Sequence, residues 1–249
     1  MTITLSDISL VHDAIRDFAQ TDPQKAKVLD FGCGRGELVD GLCALGVDAY
    51  GCDINPRWDG DKSRLRPIEC SSYRIPYDDN LFDLVCSNSV FEHVQNIRES
   101  FLEIKRVLRP GGISFHIYPA KWYLPVEPHI FVPLVNAMWP KQPRWWLAFW
   151  AIMGIRASFQ QGLNWRQVTE ANWRYCKTKL CYPPQSFFRV VLMEVFGNCD
   201  WPMHYFLSKA GGGMVSLYRR LPLKSLVACL GQYNRMVLLV QRKPVCEPG

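Results

Sequence analysis

None of the ten cysteines, at positions 33, 43, 52, 70, 86, 176, 181, 199, 229 and 246, stands in a C-x-x-C pair. Neither a zinc site nor a thioredoxin-like redox motif is therefore expected. Their placement within apolar segments marks them as small buried hydrophobes of a reducing compartment, so a cytoplasmic protein is expected. The opening "MTITLSDISLVHDAIRDF" lacks a basic head followed by an unbroken apolar stretch. It reads as a short amphipathic helix opened by Ser6 or Asp7, with no secretory signal. A bilayer span of about 20 apolar residues is missing too. The segment "RWWLAFWAIMGIR" (144–156) is an eleven-residue apolar run between two arginines.

Acidic residues are scarce in the second half. Residues 141–243 hold 15 Lys and Arg against Glu170, Glu194 and Asp200, whereas residues 1–140 hold 14 against 19 acids. The C-terminal half should face something anionic. The basic residues are scattered, with no basic run or RNA-binding signature, so nucleic acid is not expected as a partner. A chain of 249 residues, 48% of them hydrophobic, suffices for one sizeable core with a modest appendage.

Strand and helix signals alternate over the first 120 residues. "KVLDF" (27–31), "VDAYGCD" (47–53), "PIEC" (67–70), "FDLVCS" (82–87) and "ISFHIYP" (113–119) read as strands. Helices are expected over 36–46 and over "NIRESFLEIKRVL", where Ile97, Phe101, Ile104 and Leu108 share a face before "RPGG". Such repetition implies a parallel sheet covered on both faces. The Gly-rich turn after the first strand then sits at the sheet's carboxyl edge, where ligands bind. A dinucleotide fingerprint needs G-x-G-x-x-G. Here Gly32, Gly34 and Gly36 form G-x-G-x-G with Glu37 next, and the acid Asp30 before them suits a cationic ligand better than a pyrophosphate. Glu37 and "LRPGG" also disfavour a nicotinamide oxidoreductase.

Four segments in order carry a family resemblance: "VLDFGCGRG" (28–36), "CD" (52–53), "RIPYDDNLFDLVCSNSVFEHV" (74–94) and "EIKRVLRPGG" (103–112). In these the chain resembles the class I S-adenosylmethionine-dependent methyltransferases, within them the small-molecule, type 11 branch. The resemblance implies an α/β fold, a doubly wound Rossmann-like sheet of seven mostly parallel strands, the last antiparallel, with helices on both faces. It also implies S-adenosylmethionine (SAM) as cofactor. Gly32, Gly34 and Gly36 would admit its amino-acid end, with Asp30 placed for the ammonium. Asp53, 23 positions on, can accept both hydrogen bonds of a ribose diol. Ile54 would flank the adenine, and Asn88 and Ser89 would offer carbonyls near the methionine moiety. Many relatives place an acid against the adenine amino group where this chain has Ser71 and Ser72, so a hydroxyl such as that of Ser72 must stand in. His93 in "FEHV" reads as a wall residue.

The core would comprise residues 1–119 and 183–245, with "YPPQSFFRVVLMEVFGNCDW" (182–201) resembling the family's late helix leading into the sixth strand, "MVSLYRRLPLKSLVACLG" (214–231) a further helix and "RMVLLVQRK" (235–243) the seventh strand. Residues 120–182 would be a helical insertion after strand five, an acceptor-binding lid that holds seven of the nine tryptophans. Its run at 144–156 is either a buried lid helix or dimer face, or a peripheral contact with the inner face of a membrane. An oxygen acceptor also needs a base, and His129, two residues after Glu127 in a Pro-rich loop, is the candidate; a pocket-shaping role is the alternative. The resulting expectation is methyl transfer to a small or lipid-linked, anionic acceptor, such as an envelope saccharide or an isoprenoid-linked molecule. A noncatalytic SAM-binding scaffold or regulatory protein is the other reading, with RNA methylation a weaker one.

Overall fold

The computed structural model describes residues 3–55, 57–58, 63–69, 73–124, 126–209, 218, 220, 222–234 and 237–242. Strands β1 (Lys27–Phe31), β2 (Asp48–Asp53), β3 (Leu65–Pro67), β4 (Phe82–Asn88), β5 (Leu108–Ile117) and β6 (Val237–Arg242) form one sheet in the order β3-β2-β1-β4-β5-β6. The first five run parallel, and β6 lies antiparallel on β5, with Ile117 opposite Val237. The described residues thus hold six strands rather than the seven expected. The late helix expected within 182–201 is Gln185–Phe196, ended by Gly197 in the left-handed region at φ 79°, but the strand expected to follow it is not found among the described residues. Pro202, which lacks an N–H, then leads into another helix, Met203–Lys209, and leaves no length for a strand.

Helices α1 (Leu5–Asp17), α2 (Glu37–Ala44), α3 (Ile97–Val107), α4 (Arg144–Ile152), α5 (Trp165–Thr178), α6 (Gln185–Phe196), α7 (Met203–Lys209) and α8 (Lys224–Asn234) complete the order. The cap of α1 is Thr4, one turn earlier than expected: its hydroxyl accepts from the Asp7 N–H, and the Asp7 carboxylate accepts from the Thr4 N–H. Alternate residues of the central strands feed opposite faces. Val28 and Leu84 pack with Leu10, Leu38, Leu42 and Leu207 beneath α1, α2 and α7. Their neighbours Leu29 and Val85 pack with Phe101, Ile104, Phe188 and Phe196 beneath α3 and α6. Both faces of a parallel sheet are thereby covered, which is why its strands read as continuous apolar runs. Within residues 120–182, Ile130, Val132, Val135, Leu147, Cys176, Leu180 and Tyr182 form a third buried cluster, flanked by Trp146, Trp150 and Trp173.

A histidine lies inside this core, between two buried serines. His116 is fully buried, its Nδ1 2.8 Å from the Ser87 hydroxyl and its Nε2 2.5 Å from that of Ser114. Burial lowers its pKa to about 3. An unfolded histidine takes up a proton below about pH 6.5 that the folded protein refuses, so stability falls as pH drops through this window. At pH 5 the loss is about 2 kcal/mol. Denaturant titrations at pH 7.5 and 5 should therefore show a smaller difference for His116→Gln than for the wild type, by about that amount.

Candidate active site

The first turn of the nucleotide-fold half is pinned from the neighbouring strand. The Cys52 carbonyl at the end of β2 accepts the N–H groups of Gly32 (2.8 Å) and Cys33 (3.1 Å), and the Asp53 carboxylate accepts those of Gly34 (2.9 Å) and Asn55 (2.7 Å). The three glycines have different reasons to be glycine. A Cβ on Gly32 (φ 78°) would stand 2.5 Å from the Val90 side chain, and one on Gly36 (φ 85°) 2.9 Å from that of Leu65. Only Gly34 (φ 54°) has open space where its side chain would be. Two glycines thus serve the protein's own packing, and one leaves room at the ligand's side.

Gly34 opens on a cavity of about 700 Å³ at the carboxyl edge of the sheet. Its wall includes Asp30, Gly32, Asp53, Asn88, Ser89 and His129 from the residues singled out above, joined by Arg35, Asn55, Arg57, Glu92 and His93. Gly36 and Ile54 are not on that wall: Gly36 faces Leu65, and Ile54 stands 46% exposed beyond the cavity rim. Ser71 and Ser72 lie outside the described residues.

Asp30 is the electrostatic centre of one end. Its carboxyl is only 4% exposed, and burial, followed by the charge of Asp53, raises its pKa to about 7. A buried carboxylate in this state is a seat for a cation, which would restore the charged form. Beside it, Asp53 spends one lone pair of each oxygen on a backbone N–H and keeps the others for a ligand. The residues present therefore fit a ligand with an ammonium group next to a vicinal diol.

The segment after β5 brings His129 to the same cavity. Glu127 is fully buried; one of its carboxylate oxygens accepts the N–H groups of His129 and Ile130, both at 2.8 Å. The other oxygen accepts from His129 Nδ1 at 2.6 Å and from the Tyr182 hydroxyl at 3.4 Å. The His129 Nε2 then lies 3.2 Å from His93 Nε2, while His93 Nδ1 donates to the Lys179 carbonyl at 2.7 Å. Proton counting fixes the state of the pair. Both Nδ1 atoms face acceptors and must carry hydrogens, so the two Nε2 atoms share one proton or none. Burial lowers the His93 pKa and keeps that ring neutral, which makes its Nε2 a lone-pair neighbour for a proton arriving on His129. Sequence reading placed His93 on the wall but missed this pairing, because the two rings are 36 positions apart and meet only through the loop after β5.

An open parallel sheet with a cation-seeking acid under a Gly-rich turn and a diol-binding acid ending the next strand defines a nucleoside-binding Rossmann-like domain. Residues 29–116, about a third of the chain, match the methyltransferase domain family, of the type 11 branch. Over 110 residues the chain is 31% identical to a ubiquinone biosynthesis O-methyltransferase of Roseobacter denitrificans, covering 40% of this chain and 44% of that one. Over 103 residues it is 31% identical to a sterol 24-C-methyltransferase of Gibberella zeae, covering 37% and 27%. The chain thus spans less than half the length of these curated relatives. A solved complex between the Haloferax volcanii Trm112 methyltransferase activator and a methyltransferase shares the fold at TM-score 0.50 and 14% identity, over 98% of this chain and 100% of that one.

Proposed function

We propose that the protein transfers a methyl group from SAM to an oxygen atom of a small or lipid-linked acceptor. The observation that carries this reading is a single cavity lined by Asp30, Asp53 and His129, the last held by Glu127. SAM supplies an activated methyl on a sulfonium, so the chain has only to align the acceptor, exclude water and remove a proton. Asp30 would hold the ammonium, Asp53 the ribose diol, and the turn around Gly34 the methionine end. Asn88 and Ser89, at the end of β4, border the same space.

Glu127 fixes the His129 ring with Nδ1–H inward and Nε2 toward the cavity. As the O–C bond to the methyl forms and the S–C bond breaks, the acceptor hydroxyl gives its proton to His129 Nε2, and His93 Nε2 lies within reach to share it. The Glu127 carboxylate balances the charge that results. Relatives named for ubiquinone biosynthesis and for a sterol support an apolar, lipid-class acceptor, and the first supports oxygen as the atom methylated.

The test is incubation with methyl-labelled SAM and cell extract separated into lipid, saccharide, RNA and protein fractions. Label in the lipid fraction, lost on Asp53→Ala, is expected; label in RNA or protein, or in none, overturns the reading. Calorimetry should show S-adenosylhomocysteine bound about 10- to 150-fold more weakly by Asp53→Ala, the loss of a charge-assisted hydrogen bond of about 1.5 to 3 kcal/mol. Unchanged affinity would assign the ribose to another residue.

A further inference from the structure

Helix α4 has two unlike faces. Leu147 and Ala151 are fully buried, and Trp146 is tied inward by its indole N–H, which donates to the Pro133 carbonyl at 2.7 Å. Trp145, Phe149, Ile152 and Met153 are 66, 48, 62 and 63% exposed. At about 100° per residue these four fall on one stripe, about a third of the helix circumference. The stripe continues beyond the helix. Phe159 is 66% exposed in the turn that follows, the partly exposed Trp165 opens α5, and the Arg156 guanidinium closes the turn between them on the Leu163 carbonyl. Large apolar side chains gathered in this way on an outer surface mark an interaction site.

The charge around them is of one sign. Residues 141–179 hold seven Lys and Arg against one acid, Glu170. That acid is occupied by Arg144, whose guanidinium also lies over the Trp173 ring. Arg156 bonds a carbonyl rather than a carboxylate, and Arg166 lies 4.8 Å over the ring of Trp165. Apolar stripe and cationic collar together are the chemistry of a lipid headgroup boundary, where tryptophan settles and basic residues meet anionic phosphates. A second copy of the chain on this face would set collar against collar with only Glu170 to relieve it.

We propose that the outer face of the α4–α5 hairpin docks the protein on an anionic bilayer, with α4 lying in the plane of the interface. No described helix is long and apolar enough to cross a membrane, and α4, at nine residues, is no exception. The inference is independent of the acceptor's identity, but it places a lipid-bound acceptor within reach. The far end of α5 carries Tyr175, whose ring centroid is 5.9 Å from that of His129. At about 1.5 Å per residue, Trp165 and Tyr175 are about 15 Å apart along the helix.

Sedimentation of the full chain with phosphatidylcholine vesicles, with and without phosphatidylglycerol, tests the proposal. The protein should pellet only with the anionic vesicles and be released at 1 M salt, where the Debye length falls to about 3 Å. Arg156→Gln combined with Arg166→Gln should lower the partition coefficient about 30-fold at low salt. Trp145→Ala combined with Phe149→Ala should lower it about tenfold or more. An unchanged melting temperature of the second variant, both of whose sites are exposed, shows that folding is intact. Brominated lipid should quench the wild type more than Trp145→Ala. Protein left in the supernatant throughout, equal binding to neutral vesicles, or binding indifferent to both double variants overturns the proposal. A dimer in solution that is lost on Trp145→Ala also overturns it, giving the face to a second copy. Methyl transfer to a water-soluble acceptor is read separately, so failure of docking and failure of the methyltransferase reading are distinguishable.

Discussion

His129→Ala should lower turnover by about 10²- to 10⁴-fold while leaving affinity for S-adenosylhomocysteine nearly unchanged, the range set by loss of a positioned general base. The expectation rests on orientation. Two backbone N–H groups lock the Glu127 carboxylate in place, and that carboxylate holds His129 Nδ1–H, so Nε2 points at the cavity without rotational search. Glu127→Gln separates the two contributions. An amide oxygen can still accept the backbone N–H groups, but it cannot balance a protonated ring, so kcat should fall with acceptor KM held. A loss confined to acceptor KM in His129→Ala would make this residue a pocket wall and leave alignment alone to drive transfer.

The second large effect has the opposite sign for stability and for binding. Asp30→Asn should make the ligand-free protein more stable at pH 8 and less able to bind the cofactor. A buried carboxyl whose folded pKa lies at about 7 and whose unfolded value is 3.8 holds its proton more tightly when folded. Its penalty is therefore absent below about pH 4, grows as pH rises, and is complete above about 7, where it amounts to about 4 kcal/mol. The amide carries no charge, but its own burial takes back about 1 to 2 kcal/mol. A net gain of about 2 to 3 kcal/mol remains, or roughly 5 to 10 °C in melting temperature for a chain of this size. Melts at pH 5 should show a smaller gain, because the wild-type carboxyl is already protonated there. Affinity for S-adenosylhomocysteine should fall about 10²-fold, the cost of removing one partner from a buried charge pair. In the wild type, binding should release a proton near pH 7, visible as a buffer-dependent heat. A variant that is no more stable at pH 8, or one that binds with full affinity, would remove Asp30 from this role.

Features with a short-range cause were legible in the chain. The alternation of Val28 with Leu29 and the acid-flanked turn at 30–36 identified β1 and its ligand edge, because a two-sided parallel sheet requires such runs. Asp53 followed from its position at the end of the next strand. Readings that depended on distant partners were less secure. Gly36 lies in the turn, but a Cβ there would face Leu65, a residue on another strand, and Ile54 is exposed off the cavity wall. The sixth strand failed because Gly197 and Pro202 divide the segment between two helices. His129 was visible as a loop histidine beside Glu127, yet its link to His93 depends on how residues 120–182 fold back over the sheet. No local pattern encodes that closure. The Trp-rich run was ambiguous for a similar reason: Trp146 and Trp145 are adjacent in sequence, but one turns into the third cluster and the other faces outward.

The unequal glycines of the turn define which substitution a redesigned cofactor could rescue. Alanine at Gly32 or Gly36 collides with Val90 or Leu65 inside the protein, and no change in the small molecule relieves that clash. Alanine at Gly34 meets nothing of the chain's own within 4 Å; its left-handed backbone costs about 1 to 2 kcal/mol, and its methyl group would occupy part of the cavity proposed for the donor. Gly34→Ala is therefore the position for an orthogonal pair, in which a donor trimmed at the contacted group fits the variant and the natural one does not. On the proposed function, labelling cells that express this variant with the trimmed donor would mark this protein's acceptors against the background of other methyl transfers.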